Sequence, residues 1–403
     1  MRQTLKRFYE LMESTVEVRR RMVLRYLDKG TVQNDDVSYL RQVLETLEAV
    51  PVTDEGKRVL MLEGDRGIEV DIGYETGELL KDILFFEKGE DEFAAYVESI
   101  HPGFADFVDR GVSFLADKHF TSFVTDRDGT VNNYCGRYRS SIQSAYNAVF
   151  LTRFIRNCTN NSMIITSAPL QNPGIVTLSV MPPGTFVYAA SKAREFVDRD
   201  GVRRTYPVDP KGQLLLNDVN KRLVGLIQEP GNEKYGLIGS GLQFKFGETT
   251  LARQDITGAV TEEESSAFMK RVEEIVREID PSSSYFSISD TGLDIEIVLR
   301  KGSGDDSGSK QFHKGDGMLF LDAELGLNFE NGPNLVCGDT GSDMKLVEAS
   351  MSKCSDTWTV FVTEEDDLIE RVKATGAEAF IVPEPDILLF MFDHLSRKGA
   401  SYE

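Results

Sequence analysis

At 403 residues, with 40% hydrophobic and 28% charged side chains, the chain has the composition of a globular protein large enough for two or three domains. Its formal net charge of −21 argues against nucleic acid and anionic membranes as partners. No apolar run is long enough to span a bilayer, and residues 1–13 carry charges where a signal peptide needs an apolar stretch. The four cysteines lack CxxC spacing, so a cytoplasmic protein with reduced thiols and no zinc site is expected.

The chain opens on helical spacing: Leu5, Phe8, Met12, Val16, Val23 and Leu27 share one face, and Gly30 is a plausible stop. Asn34 then caps a second helix with Val37, Leu40, Leu44 and Leu47 on one side. Shorter helical patterns follow around 59–62, 79–86, 93–100 and 104–115. Residues 1–117 therefore read as an all-helical domain. It holds no catalytic-looking residue, and Arg19-Arg20-Arg21 reads as a solvated helix face. Packing, oligomerisation or partner binding is its expected work.

The next stretch organises everything after it. An apolar run at 122–124 reads as the end of a buried strand, followed by Asp126, Asp128 and a turn at Gly129. Side chains i and i+2 of a strand point the same way, so the two acids emerge together. Carboxylates that close repel unless a cation sits between them, and oxygen-rich sites suit Mg2+. One acid can then attack a phosphate while the other handles protons. A polar strand corner is the plain alternative. An EF-hand loop fits worse, since its glycine belongs at position six and its flanks on helices.

Beyond it, strand and helix alternate. A helix at 142–156 leads to a strand at 163–165 that ends in Thr166-Ser167-Ala168-Pro169, where a hydroxyl can hold a phosphate oxygen. A strand at 186–188 leads to a hairpin-like turn at 198–201. From 208 to 302 the pattern changes to helix–strand–strand written twice, with helices at 214–227 and 262–279 and strands near 237, 244, 286 and 295–299. Such a segment is an insert with its own sheet. Gly239-Ser240-Gly241 precedes a strand, not a helix, so it is no dinucleotide fingerprint. Residues 302–309 read as a Gly/Ser/Asp hinge for this insert.

Alternation then resumes. Lys314 precedes a helix at 316–325, and the strand at 334–337 ends in a second acidic turn carrying Asp339 and Asp343. In an open parallel sheet, strand ends on one side form the ligand crevice, so both acidic turns can share one metal. Lys314 supplies the counter-charge a phosphate needs inside so acidic a chain.

The order DxDGT (Asp126, Asp128), Thr166-Ser167, Lys314 and GDxxxD (Asp339, Asp343) resembles the haloacid dehalogenase-like phosphohydrolases. The resemblance implies an α/β fold: a doubly wound Rossmann-like core, here residues 118–207 and 303–403, with an inserted α+β cap of the larger type at 208–302. It also implies that Asp126 is the nucleophile, Asp128 the general acid/base, Thr166 or Ser167 and Lys314 the phosphate binders, and Asp126, Asp339, Asp343 and the Asp128 carbonyl the Mg2+ ligands. The N-terminal helical domain, the stretch TDRDGT…Tyr134-Cys135…Tyr138 and the cap stretch Gly239-Ser240-Gly241-Leu242-Gln243-Phe244-Lys245 are similar to trehalose-6-phosphate phosphatases of the nematode type and their bacterial relatives.

The expectation is a phosphatase that releases trehalose and inorganic phosphate. Sucrose phosphate, glucosylglycerol phosphate or mannosylglycerate phosphate are alternative substrates, and a non-catalytic binding or regulatory protein is the further alternative. Gln243, Lys245 and Glu296 on cap strands, with Arg194 on a core loop, are candidate substrate contacts.

Overall fold

The computed structural model describes residues 4–62, 67–300 and 312–399. Helices α1 (Leu5–Lys29), α2 (Asn34–Glu48), α3 (Gly73–Lys88), α4 (Glu90–Ile100) and α5 (Phe104–Leu115) form the N-terminal bundle. The apolar stripe of α1 is buried at Leu5, Phe8, Met12, Val16 and Val23, and Gly30 closes the helix. The second helix begins one residue early, with Gln33 at the N-cap and Asn34 already helical.

Two expectations for this region are corrected. Residues 59–62 are not helical: β1 (Arg58–Met61) pairs antiparallel with β2 (Gly67–Val70), burying Leu60, Ile68 and Val70. Four apolar residues are too few for a period of 3.6 to declare itself against one of 2. Nor do Arg19 and Arg20 lie on a solvated face, although Arg21 is exposed. Arg19 is fully buried against Asp82, Arg20 donates to the carbonyls of Val176 and Ser179, and Arg21 pairs with Asp36.

The core begins with β3 (Phe120–Thr125) and continues through α6 (Ala145–Cys158), β4 (Thr159–Ile165), the short α7 (Ile175–Leu178), β5 (Val187–Ala190), β6 (Glu195–Val197) and β7 (Arg203–Thr205). After an insert it resumes with α10 (Lys314–Leu325), β12 (Asn334–Gly338), α11 (Met344–Lys353), β13 (Thr357–Val362), α12 (Asp366–Lys373), β14 (Glu378–Val382) and α13 (Pro385–Gly399). The sheet order is β14-β13-β12-β3-β4-β5-β6-β7, parallel from β14 to β5 and antiparallel at the β6–β7 edge. Both faces are covered, so its strands read as apolar runs. Phe123 and Leu335 look toward α6, α13 and the bundle, while Val124 and Val336 look toward the side of α10 and α11. The chain leaves β3 for β4 on one side and returns to β12 on the other, which opens the crevice at the carboxyl end of β3.

The insert holds α8 (Pro210–Gln228), β8 (Leu242–Lys245), β9 (Glu248–Ala252), α9 (Glu262–Ile279), β10 (Phe286–Asp290) and β11 (Asp294–Leu299). Its four-stranded sheet has the order β10-β11-β9-β8 and is antiparallel throughout. The first strand pair is β8–β9 rather than strands at 237 and 244, because 233–241 is spent on a short 3-10 turn and a glycine-containing loop. The 302–309 hinge lies outside the described residues. Among the described residues no helix is long and apolar enough to cross a membrane, and no two cysteines are bonded.

Candidate active site

Strand register brings the acidic turns together. Thr125 lies opposite Cys337 on β12 and Ile164 on β4, so Asp126 follows level with Gly338 and Ile165, and Asp339 and Thr166 come one residue later at the same sheet edge. The Asp126 amide donates to the Cys337 carbonyl at 3.1 Å, tying the two turns. Carboxylate oxygens of Asp126, Asp339 and Asp343 lie within 4.8 Å of one another. Gly129 makes the approach possible. Its φ of +86° suits glycine, and a Cβ there would sit 2.2 Å from Asp339 Oδ2. Thr130, in the same turn, donates to Asp339 Oδ1 at 2.9 Å and aims that carboxylate.

Lys314 is the first residue of α10 and is buried. The helix start is held by His313, whose Nδ1 accepts from the Asp316 amide while Asp316 accepts from the His313 amide. The ammonium lies 2.9 Å from Asp126 Oδ1 and 2.6 Å from Asp343 Oδ1. Both oxygens of Asp343 are engaged, since Oδ2 also accepts from the amides of Asp339 and Thr340 and from the Thr340 hydroxyl. Asp343 therefore anchors the lysine and its own turn.

Electrostatics mark the cluster as short of positive charge. Burial, only partly offset by Lys314 and reinforced by Asp343, pushes Asp126 up to about 6. Burial, together with Asp126 and Asp343, pushes Asp339 up to about 9. Burial works against the Lys314 ammonium, yet the two carboxylates hold it above its usual range. Asp126 Oδ1 is buried and its charged partner is the Lys314 ammonium. Three carboxylates this crowded and buried, with one ammonium among them, fit a hard divalent cation.

Asp128 is set apart. Its Oδ1 accepts from Arg127 at 2.5 Å and from Ser141 at 2.8 Å, and Asn132 Nδ2 lies at 3.5 Å. On the neighbouring strand end, Thr166 Oγ1 accepts from the Ala168 amide, and Ser167 is half-buried. Tyr134 stands 68% exposed within the electrostatic reach of Asp128, Asp339 and the cap residue Asp294.

The cap turns a polar face to the core. Gln243, Thr250 and Glu296 lie side by side across β8, β9 and β11, with Lys245 and Glu248 in the next row. Gln243 is buried and donates to the Ser240 carbonyl, and Glu296 is half-buried. Lys245 is bonded to Glu248 at 3.0 Å and Thr250 at 2.7 Å, and Arg194 reaches the Gly247 carbonyl and lies 3.6 Å from Glu248. Sequence reasoning missed Glu248, whose only signal was an acid opposite a lysine in a hairpin. It joins cap Lys245 to core Lys192 and Arg194.

Burial alone would raise Glu248, but Lys245, Lys192 and Arg194 outweigh it and hold the carboxyl down at about 2. A carboxyl depressed in the folded state adds stability that is present above its unfolded value and lost as pH falls through the folded one. Glu248→Gln should thus be less stable than the parent at neutral pH, with the gap narrowing from about 4.5 toward 2. Parallel denaturant melts across that window check it; a gap constant with pH would contradict the assignment.

The model of the family described as trehalose-6-phosphate phosphatase, C-terminal, matches residues 123–388, and that of the trehalose-6-phosphate phosphatase N-terminal helical bundle domain matches 4–104. The chain belongs to the trehalose-6-phosphate phosphatase family. The chain is 31% identical to alpha,alpha-trehalose-phosphate synthase (UDP-forming) 2 of Aphelenchoides avenae, over 95% of this chain and 31% of that protein. It is 28% identical to the trehalose-phosphatase of Brugia malayi, over 92% of this chain and 81% of that one. With the trehalose-phosphatase of Caenorhabditis elegans the figures are 26%, 96% and 94%. The chain thus spans about a third of the length of the synthases and most of the length of the phosphatases.

Proposed function

We propose that the chain hydrolyses trehalose 6-phosphate to trehalose and inorganic phosphate with Mg2+ at the Asp126–Asp339 cluster. The observation that carries this reading is the buried Lys314 between Asp126 and Asp343, with Asp339 alongside, at the sheet's carboxyl edge. Asp126 attacks phosphorus; the ester P–O bond breaks, and Asp128 gives a proton to the departing sugar oxygen. Asp128 then takes a proton from a water whose oxygen attacks the aspartyl-phosphate, freeing phosphate and restoring Asp126. Lys314 and a hydroxyl of Thr166 or Ser167 steady the phosphoryl oxygens. Asp126, Asp339, Asp343 and the Asp128 carbonyl would hold Mg2+, which would supply neutralisation of phosphoryl charge when bound.

The segment 208–302 acts as the lid over a core of 118–207 and 303–403, with residues 1–117 as the helical domain. A disaccharide needs many polar partners; Gln243, Lys245 and Glu296 share the cap-sheet face that carries Glu248, and Glu248 meets core Arg194, so these four are the candidates to supply them. Four unbonded cysteines suit a reducing cytoplasm. Phosphate release from trehalose 6-phosphate, with and without Mg2+ and beside sucrose phosphate, glucosylglycerol phosphate and mannosylglycerate phosphate, tests the reading. The expected result is Mg2+-dependent turnover with the largest kcat/KM on trehalose 6-phosphate; a folded, Mg2+-loaded protein inert toward it would end the proposal.

A further inference from the structure

The buried side of α3 carries charged residues beside Leu79, Ile83 and Phe85, where a bundle helix normally presents apolar residues alone. Glu75, Glu78, Lys81 and Asp82 are all buried there, and each contacts the stretch that follows the catalytic acids or its supports. Glu78 accepts from Asn133 at 2.9 Å, and Lys81 bridges Glu78 to Asp386, which also accepts from Asn133. The Cys135 thiol lies 3.7 Å from Glu75. Asp82 accepts from the amides of Ala145 and Tyr146, capping α6 where its own N-cap residue, Ser144, makes no side-chain cap bond. At the head of the helix, Tyr74 donates to the Ile142 carbonyl at 2.8 Å and its hydroxyl lies 3.0 Å from Asn132 Nδ2. That amide is buried, 3.5 Å from Asp128 Oδ1 and 3.4 Å from the Ser141 hydroxyl that also holds Asp128.

We infer that Tyr74 is a positioning residue for Asp128, acting through Asn132, and that α3 makes the N-terminal bundle a fixed wall of the catalytic loop. The inference rests on the phosphatase reading above, because it assigns Asp128 its proton. Both faces of the contact are specific. Tyr74 holds Ile142, next to Ser141, and Asn132, four residues after Asp128, so one hydroxyl ties both ends of the loop that grips the carboxylate. Buried polar groups with several partners keep a single geometry, since any other leaves one of them unpaired. The bundle and the core also share one continuous apolar core on the α6 and α13 side, so the wall does not rest on polar contacts alone.

The test compares two leaving groups. A sugar alkoxide needs the proton of Asp128 to depart, whereas p-nitrophenolate leaves without it. In Tyr74→Phe, single-turnover release of trehalose should slow about tenfold, a part of the 10²–10⁴-fold that a placed proton donor contributes. The first-turnover release of p-nitrophenolate should stay within about twofold of wild type, and KM for the sugar phosphate should hold, since a kcat effect alone marks an interaction made in the transition state. A merely structural lesion would slow both leaving groups alike. Asn132→Leu, which removes the amide but keeps the Tyr74–Ile142 bond, should give the same signature and serves if Tyr74→Phe does not fold. Because the two act in series, the double variant should be no slower than the worse single one. Equal slowing of both leaving groups, no slowing of either, or additive losses in the double variant overturns the inference. Wild-type inactivity on every sugar phosphate removes it together with the phosphatase reading; wild-type turnover with unaffected variants removes it alone.

Discussion

Asp126→Asn is expected to lower kcat by roughly a thousandfold or more, the scale seen when a nucleophile is deleted from a group that acts as a unit. The amide keeps the shape of the side chain but cannot form an acyl phosphate, and it puts a neutral group 2.9 Å from the Lys314 ammonium. Lys314 would remain held by Asp343 at 2.6 Å, so the fold should persist. The variant should therefore melt near the parent, even as turnover vanishes. Acid quench of the parent during turnover should trap phosphorus on Asp126, and the variant should trap none. Near-parental activity in Asp126→Asn would sink the mechanism.

Asp82→Ala is expected to give the largest loss of stability, about 3–5 kcal/mol, the cost of leaving one member of a buried ion pair alone. Both side chains of the Arg19–Asp82 pair are inaccessible to solvent. Burial lifts the Asp82 carboxyl to about 6 even with Arg19 and two amides upon it, so the pair is expensive to form. Removing only one half is worse, because Arg19 stays charged in the interior and the first amides of α6 lose their acceptor. A reduced urea midpoint for Asp82→Ala, partly restored in Arg19→Met/Asp82→Leu, checks this; an unchanged midpoint would refute it. The same lesion should disturb activity, since α6 follows directly on the loop that grips Asp128.

The Asp126–Lys314–Asp339–Asp343 cluster was legible because its residues sit at strand ends. An acid on alternate positions before a glycine, a second acidic turn after another apolar strand and one lysine between them constrain the geometry once a parallel sheet is assumed. Thr130 and Gly129 were visible as letters of that motif, but their work on Asp339 was not. Candidate cap contacts were harder. Alternation placed Gln243 and Lys245 on one face of a strand, yet nothing in the sequence showed that Glu248 would gather Lys245, Lys192 and Arg194 around itself. Such a cluster joins residues from two domains, and pairing across domains leaves no periodic trace.

The N-terminal region shows the boundary most sharply. Helical spacing in α1 and α2 predicted their buried stripes, because a 25-residue helix such as α1 samples its period many times over. The four residues of β1 did not, and nothing in the helical pattern at 79–86 showed that Glu75, Glu78, Lys81 and Asp82 would be buried. The sequence by itself determined the alternation of strand and helix, the two acidic turns and their lysine, since these depend on local periodicity and on the identity of residues at strand ends. Only the tertiary structure decided that Arg19 is buried, that Asp82 caps a helix of the core and that Tyr74 stands behind Asp128. A charged side chain is compatible with the interior only where a particular partner meets it, and that partner is supplied by chain 63 residues away in the case of Arg19 and Asp82.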